Sequence, residues 1–347
     1  MSNSDSPDKP KRRIRYKGKN PTKFHEKYKE HSPEKFSTDM EKVIARGATP
    51  VGTHRSICVK EILEILHPKS GDRVLDATLG YGGHTSFILP LISPDGVLIG
   101  LDQDPIERPL TEARLRKNLT NQNSLIVGPI NFSQTKKYFA ENNLEPVDLI
   151  LADLGLSSMQ IDHPDRGFSY KTNAPLDLRM NPLAGEPAFE LIRKSTQSQL
   201  SEMLHENSDE IRSEIIAKAL IEKKPKTSLE LADTVRTVIQ GFSKKVQLTE
   251  GDSPVRRVFQ ALRIAVNDEF KVLDQFLTDI PFILKDGGRV AILSFHSGED
   301  RRVKKSFQAL ERTQVYQKVS PEFMRPSLEE QRSNPRSKSA KLRWAIK

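Results

Sequence analysis

The sequence predicts an α/β protein built on a doubly wound, mostly parallel sheet with an inserted helical subdomain. From about residue 50 onward, short apolar segments of strand length alternate with longer segments of helical periodicity, which is the pattern of successive βαβ units. About 130 residues separate the fourth and fifth strand candidates, far more than one crossover helix needs. The first observation predicts the sheet, and the second predicts the insertion.

Five segments are the strand candidates. In chain order they are RVLDATL (73–79), GVLIGLDQD (96–104), SLIVGP (124–129), VDLILADLG (147–155) and GGRVAILSFHS (287–297). Ligands of such sheets bind outside the carboxyl ends of the strands. The polar residues at the ends of four of these strands are therefore the candidate site: Asp76–His84, Asp102–Asp104, Asp153–Ser158 and Ser294–Ser297.

The insertion is predicted to be helical throughout. Pro187 suits a first helical position, and Thr227 with Glu230 has the spacing of a capping box. We therefore assign residues 181–253 to an inserted helical domain.

The sheet domain is then formed by residues 49–180 and 254–347. A long helix is expected to begin at Ser253 and to return the chain to this domain. Its apolar stripe should pack on the sheet: Val255, Phe259, Leu262 and Val266.

The charge is concentrated at the two ends of the 347-residue chain, whose formal net charge is +9. Residues 1–30 hold ten Lys/Arg against four Asp/Glu, and residues 331–347 hold six Lys/Arg and no acid. Residues 1–48 also lack an apolar period and are predicted to be a basic, disordered extension. Basic ends on a near-neutral body favour a polyanionic partner such as nucleic acid, with a role in solubility alone as the alternative.

Cysteine usage and hydropathy indicate the compartment. Cys58 is the single cysteine, which excludes an intramolecular disulfide and a thiolate zinc cluster. No apolar run approaches the roughly 20 residues that span a bilayer, and the first residues lack the apolar core of a signal peptide. We expect a cytoplasmic protein with no membrane segment and no metal.

The turn DATLGYGGH (76–84) has two competing interpretations as a nucleotide site. Asp102 lies 20 residues beyond Gly82, a spacing that suits the ribose of either a dinucleotide or S-adenosylmethionine. A dinucleotide fingerprint that starts at Gly80 requires a third glycine where Thr85 stands. No G-K-[ST] follows, which excludes a Walker loop.

The methyltransferase pattern D-x-G-x-G-x-G fits the turn better. Asp76, Gly80 and Gly82 match it, and Thr78 replaces the first glycine. An acid at position 76 also suits a cationic sulfonium and its amino group rather than a pyrophosphate. The turn alone favours S-adenosylmethionine over NAD, and a plain structural turn stays open.

The fourth strand ends in Asp153, where amino-group methyltransferases carry a D/N/S-P-P-Y/F tetrapeptide. A side-chain oxygen and a backbone carbonyl there accept the hydrogens of an exocyclic amine, and Asp153 could supply both. Leu154–Gly155 stand in place of the prolines. A helix or turn cap is the alternative role for Asp153.

The complete set of motifs resembles the bacterial small-subunit ribosomal RNA cytosine-N4 methyltransferase family (RsmH, formerly MraW). The matching segments occur in the family's order from about residue 54: DATLGYGGHT, GLDQDP, DLILADLGLSSMQID, RGFSY, PLDLRMNP, RVFQALRIAVNDEF, GGRVAILSFHSGEDRRVKKSF and NPRSKSAKLR. Gly298 is a departure, since the family has leucine in its SFHS-L-EDR motif.

The resemblance implies a class I S-adenosylmethionine-dependent methyltransferase with a Rossmann-like sheet and an inserted helical subdomain. By matching position, cofactor contacts would be Gly82, Gly83, His84, Asp102, Phe132, Asp153 and Gln160, to which the turn analysis adds Asp76 and Gly80. Asp153 and His296 are the candidate catalytic residues. The implied reaction is N4-methylation of a cytidine in the decoding region of 16S rRNA.

The implied partner is 16S rRNA or the small ribosomal subunit, and the oligomeric state is open, a homodimer included. Phe168 or Tyr170 would stack on a flipped base. Phosphate contacts would come from the charged tails and from Arg301, Arg302, Lys304 and Lys305. Two alternatives are an NAD-dependent oxidoreductase and a non-catalytic rRNA-binding assembly factor.

Overall fold

A computed structural model of the chain describes residues 56–117 and 119–347, which belong to one compact unit. The predicted basic extension, residues 1–48, lies outside the described residues. Seven strands form one sheet in the order β3-β2-β1-β4-β5-β7-β6. Their bounds are Arg73–Asp76 (β1), Val97–Leu101 (β2), Leu125–Gly128 (β3), Val147–Asp153 (β4), Leu284–Ser294 (β5), Lys318–Val319 (β6) and Lys341–Ile346 (β7).

Nine helices outside the insertion flank or connect these strands in the described part of the chain. They are α1 (Val59–Leu66), α2 (Gly83–Ile92), α3 (Glu107–Arg116), α4 (Thr135–Glu141), α5 (Ser158–Asp162), α11 (Ser253–Val266), α12 (Glu269–Ile283), α13 (Ser297–Arg312) and α14 (Leu328–Ser333). The insertion contributes α6 (Ala188–Lys194), α7 (Gln197–Ser208), α8 (Ser213–Lys223), α9 (Ser228–Gln240) and α10 (Lys244–Glu250). No helix of the described ranges is both long and apolar enough to cross a membrane.

The sheet is covered on both faces, as its continuous apolar strands require. One face packs on α4, α12 and α13, through residues that include Phe139, Phe276 and Phe307. The other face packs on α1, α2 and α3. Strands β1 to β5 run parallel to one another, so the predicted doubly wound, mostly parallel sheet is confirmed.

The C-terminal segment is not simply a basic tail. Residues 341–346 form β7, which runs antiparallel between β5 and β6. Leu342 and Ala345 are fully buried, and the buried guanidinium of Arg343 donates to Asp300 at 2.7 Å. The expectation that this tail contacts phosphates is therefore wrong for Arg343, whose charge is neutralised inside the fold.

The helical insertion has its own apolar core, which is shared with α11. Val255, Phe259 and Leu262 of α11 pack against residues of α7, α8 and α9. The prediction that this stripe packs on the sheet is wrong, because the apolar period of a helix defines a face but not its partner. The next helix, α12, covers the sheet instead. The limits 181–253 for the insertion stay a prediction, and the same core also includes Phe168.

Parallel pairing brings the carboxyl ends of four strands to one edge of the sheet. Asp76 pairs with Gly100 of β2 and Leu151 of β4, and Asp153 pairs with Leu293 of β5. The acidic residues that follow or end β1, β2 and β4 therefore lie side by side, next to the turn before α13.

Candidate active site at the carboxyl edge of the sheet

The glycine turn between β1 and α2 is held by backbone geometry and by α3. Gly80 and Gly82 have φ of +46° and +67°, a region that glycine enters without steric cost. Thr111 donates to the Gly80 carbonyl at 2.8 Å, and Arg114 donates to the Tyr81 carbonyl. A Cβ on Gly82 would lie 3.0 Å from the Leu115 side chain, so the turn packs closely against α3.

The third glycine of the turn permits a close approach of the chain segment before α1. A Cβ on Gly83 would lie 2.1 Å from the Ser56 Oγ. The next residue, His84, is buried, and its Nε2 lies 2.9 Å from the Ile57 carbonyl. This segment therefore closes one side of the glycine turn.

Asp76 has hydrogen-bond partners on both carboxylate oxygens. Thr85 donates its hydroxyl to Oδ2 at 2.6 Å, and the backbone amide of Thr78 donates to Oδ1 at 3.2 Å. Burial nevertheless raises the pKa of this carboxyl above its usual range. Thr85, which counted against a dinucleotide fingerprint, is thus the residue that orients Asp76.

Asp153 is fixed to the same turn from the other side. Its backbone amide donates to the Thr78 hydroxyl at 2.6 Å, and its Oδ2 lies 3.7 Å from Nδ1 of His84. Burial, with help from Asp76 and Glu299, raises its pKa to about 6, against the opposing effect of His84. Its side chain is 30% exposed, against 7% for His84, so the carboxylate is the accessible member of the pair.

Asp102 is a desolvated acid at the end of β2. Burial raises its pKa to about 7, although the Asp104 amide donates to Oδ1 at 2.8 Å. No lysine or arginine of residues 56–117 and 119–347 forms an ion pair with Asp76, Asp102 or Asp153. Three acids with no lysine or arginine partner among these residues suit a positively charged or hydroxyl-bearing ligand and disfavour a pyrophosphate.

Gln160 lies beside the acids but is engaged by the protein. Its Oε1 accepts from the Ser157 amide at 3.0 Å, which completes a capping box, and its Nε2 donates to Asp104 at 2.8 Å. The same oxygen of Asp104 accepts from Arg166 at 3.0 Å, in an ion pair that is 5% and 0% exposed. This network holds the short helix α5 at the edge of the site.

Phe132 lies in a 3₁₀ turn after β3 and is half-buried. Its ring makes an edge contact with Phe276 of α12, with centroids 5.2 Å apart. Nearby, the Asn131 amide donates to Gln103 at 3.2 Å, which ties this turn to the end of β2. The ring is therefore held by the core, and its contact with the cofactor stays a prediction.

His296 is paired with an acid of the following helix. Its Nε2 lies 3.2 Å from Oε1 of Glu299, and Glu299 Oε2 accepts from the Phe295 amide at 2.8 Å. Burial alone would raise the pKa of Glu299, but His296 and Arg263 outweigh it and hold the pKa below its usual range. The catalytic role of His296 stays a prediction.

The Gly298 departure has a steric explanation. A Cβ at this position would lie 2.6 Å from Cζ of Phe270. The Phe270 ring fills the space that a larger side chain at position 298 would need, and Arg302 lies 3.7 Å above the ring centroid.

The two aromatic residues proposed to stack on the base are not equivalent in the structure. Phe168 is 9% exposed and belongs to the core of the helical insertion, so stacking on a base is not available to it in this conformation. Tyr170 is half-buried, with its ring 5.8 Å from that of Phe259. Of the predicted phosphate contacts on α13, Arg302 bonds Asp274, whereas Arg301 and Lys305 are exposed.

Four residues that organise the site were not among the predicted cofactor-binding or catalytic residues: Thr78, Thr85, Asp104 and Arg166. Thr78 was visible in the sequence only as a departure from a glycine pattern. The contact partners Asp104 and Arg166 are 62 residues apart, and nothing in the local sequence signals their pairing.

Comparison with known proteins agrees with the motifs. The chain is 49% identical over 342 residues to "Ribosomal RNA small subunit methyltransferase H 1" of Lachnoclostridium phytofermentans, covering 97% of this chain and 93% of that protein. It is 47% identical over 345 residues to "Ribosomal RNA small subunit methyltransferase H 2" of Alkaliphilus metalliredigens, covering 98% of each.

A solved rRNA methylase of Streptococcus thermophilus matches with 12% identity and a TM-score of 0.37, covering 83% of this chain and 93% of that chain. This identity and TM-score are too low to add to the assignment. The model of the MraW methylase family matches residues 52–347. The family predicted from the motifs is thereby confirmed, and the chain belongs to the MraW methylase family.

Proposed function

We propose that this protein transfers a methyl group from S-adenosylmethionine to N4 of a cytidine in the decoding region of small-subunit rRNA. Membership of a methylase family and relatives named as small-subunit rRNA methyltransferases support the rRNA substrate. The position of Asp153 supports an amine as the group that is methylated. The Thr78 hydroxyl holds the Asp153 backbone amide beside the glycine turn, and the Asp153 carboxylate is partly exposed.

The residues at the sheet edge fit S-adenosylmethionine. Among the described residues, a Cβ on Gly80 would have only the Thr78 carbonyl within 4 Å, at 3.7 Å, so the inner side of the turn has room for a ligand to approach the backbone. Asp102 would accept the ribose hydroxyls, and Asp76 would face the methionine end. When bound, the cofactor supplies a methyl group on a positively charged sulfur, which neighbouring carboxylates tolerate.

Asp153 addresses the main chemical obstacle of the reaction. The lone pair of a cytosine amine is conjugated into the ring, so the amine is a poor nucleophile until its hydrogens are held out of the ring plane. A carboxylate that accepts one of these hydrogens promotes that geometry and aligns the nitrogen with the methyl carbon. Such positioning supplies much of the acceleration in displacement reactions.

The two alternative functions are weaker. An NAD-dependent oxidoreductase would need a pyrophosphate beside Asp76, which is buried without a cationic partner among the described residues. A non-catalytic assembly factor would not require an accessible carboxylate at the end of β4. It predicts that Asp153→Asn leaves cellular function intact.

The test is the nucleoside composition of small-subunit rRNA from cells that lack the protein, measured by mass spectrometry. Wild-type protein should restore N4-methylcytidine and Asp153→Asn should not. Asp286→Asn should restore it, because Asp286 is 92% exposed and lies near the start of β5, at the end opposite the site. Unchanged N4-methylcytidine in the deletion strain would refute the assignment. Full restoration by Asp153→Asn would instead refute the role of Asp153.

A further inference from the structure

His84 is oriented by a main-chain carbonyl rather than by another side chain. Its Nε2 lies 2.9 Å from the Ile57 oxygen. A carbonyl oxygen can only accept, so Nε2 must carry the proton. In the neutral ring Nδ1 is then left with a lone pair, and this atom faces Oδ2 of Asp153 at 3.7 Å.

Two lone-pair atoms that face each other repel. A proton between Nδ1 and the carboxylate removes this repulsion, whichever of the two atoms carries it. The Ile57 carbonyl thus makes His84 and Asp153 share one proton. The other tautomer would point an N–H at the carboxylate without any shared proton.

The groups around this pair are almost all acidic. Asp76 of β1 and Glu299 of α13 act on Asp153, and Glu330 of α14 interacts with His84. Cys58 also faces the pair, but burial raises the pKa of its thiol, which therefore stays neutral. His84 is the group that favours the ionised form of Asp153 against these neighbours.

We propose that His84 is a positioning residue that keeps Asp153 ionised and directed towards the substrate amine. The inference rests on the proposed N4-methylation. In the step itself the N4 lone pair forms a bond to the methyl carbon, and the sulfur–methyl bond breaks with its electron pair left on sulfur. The nitrogen, now cationic, gives one proton to the Asp153 carboxylate, whose side chain is 30% exposed and can release it to solvent.

Two variants separate this role from a structural one. His84→Gln keeps an amide donor that can reach the Ile57 carbonyl but removes the ring nitrogen Nδ1 that faces Asp153. His84→Asn has its amide near the Nδ1 position and lacks the contact with Ile57. If His84 only anchors the segment before α1, His84→Gln should behave as wild type and His84→Asn should not.

The kinetic experiment is single-turnover methylation of small-subunit RNA from pH 5 to 9, with cofactor saturation established for each variant by calorimetry with S-adenosylhomocysteine. Asp153 has a pKa of about 6 in the wild type, so the rate should fall below that pH. An opposite charge within about 4–6 Å typically lowers a carboxyl pKa by roughly 1–3 units. In His84→Gln the acid limb should therefore move up by about one pH unit or more, with roughly a tenfold loss of rate at pH 6.

A second readout does not depend on catalysis. In the cofactor-free protein, long-range ¹H–¹⁵N correlation spectra should report Nε2 of His84 as protonated, with the His84→Gln spectrum identifying the resonance. A proton on Nδ1 with none on Nε2 would overturn the proposal, as would a pH profile unchanged in His84→Gln. Absence of any N4-methylcytidine formation by the wild type would refute the proposed function and leave the NMR result to stand separately.

Discussion

The hydroxyl of Thr78 accepts the backbone amide of Asp153 at 2.6 Å, so the residue that breaks the glycine pattern of the first turn is the one that joins this turn to the fourth strand. The amide of Thr78 in turn donates to Asp76. One residue, through its hydroxyl and its backbone amide, thereby fixes the relative position of two acids that lie 77 positions apart in the sequence.

Removing the Thr78 hydroxyl should impair positioning of Asp153. Thr78→Val keeps the shape but leaves a part-buried N–H without an acceptor, which costs about 1–3 kcal/mol. We expect roughly a tenfold or greater loss in single-turnover rate with little change in S-adenosylhomocysteine affinity. Thr78→Ser, which keeps the hydroxyl, should retain most of the rate, and equal rates for the valine and serine variants would show that the bond is dispensable.

The parts of the fold that could be predicted are those that a short segment of sequence determines by itself. Strands β1 to β5 are continuous apolar runs, and the topology of a parallel sheet then brings their acidic ends together. Strand β7 was missed because its basic residues resemble a solvated tail, and the partner that neutralises Arg343 lies 43 residues away. The contacts that orient the site, from Thr78 to Asp153 and from Arg166 to Asp104, likewise join distant segments.

The unusual pKa of Asp102 should make cofactor affinity depend on pH. With a pKa of about 7 in the free protein, the carboxyl must lose a proton before it can accept two ribose hydroxyls. The affinity for S-adenosylhomocysteine should therefore rise about tenfold per pH unit below pH 7 and level off above it. Calorimetry between pH 5.5 and 8.5 checks this, and Asp102→Asn should bind weakly with a flat profile.

Asp102 should also reduce stability in the free protein. An unfolded aspartate ionises near pH 4, whereas the folded one holds its proton up to about pH 7. Its contribution to the free energy of unfolding therefore falls between these values and stays low above them. Asp102→Asn should raise the free energy of unfolding at pH 8 by about 2–4 kcal/mol and leave it unchanged at pH 4. Urea titrations at both pH values test this, and a destabilised variant at pH 8 would contradict it.

The buried pair of Asp104 and Arg166 should be sensitive to loss of one partner. Asp104→Asn leaves the Arg166 guanidinium, 5% exposed, without its counter-charge, which typically costs about 3–5 kcal/mol. The variant should also release Gln160 and α5. The exposed pair Lys137–Glu141 is the control, since Glu141→Gln should change the free energy of unfolding by less than about 1 kcal/mol. Similar losses for both variants would argue against a structural role for the buried pair.

Gly298 and Phe270 should be energetically coupled. Leucine at position 298, as in the family motif, would place its Cβ 2.6 Å from Cζ of Phe270. Overpacking of this kind costs about 1–3 kcal/mol. Gly298→Leu should therefore lower the free energy of unfolding despite the better helix propensity of leucine. In the Phe270→Ala background the same change should be neutral or stabilising, because the small side chain vacates the space. A double-mutant cycle by urea denaturation measures the coupling, and strictly additive effects would mean that the ring moves aside at no cost.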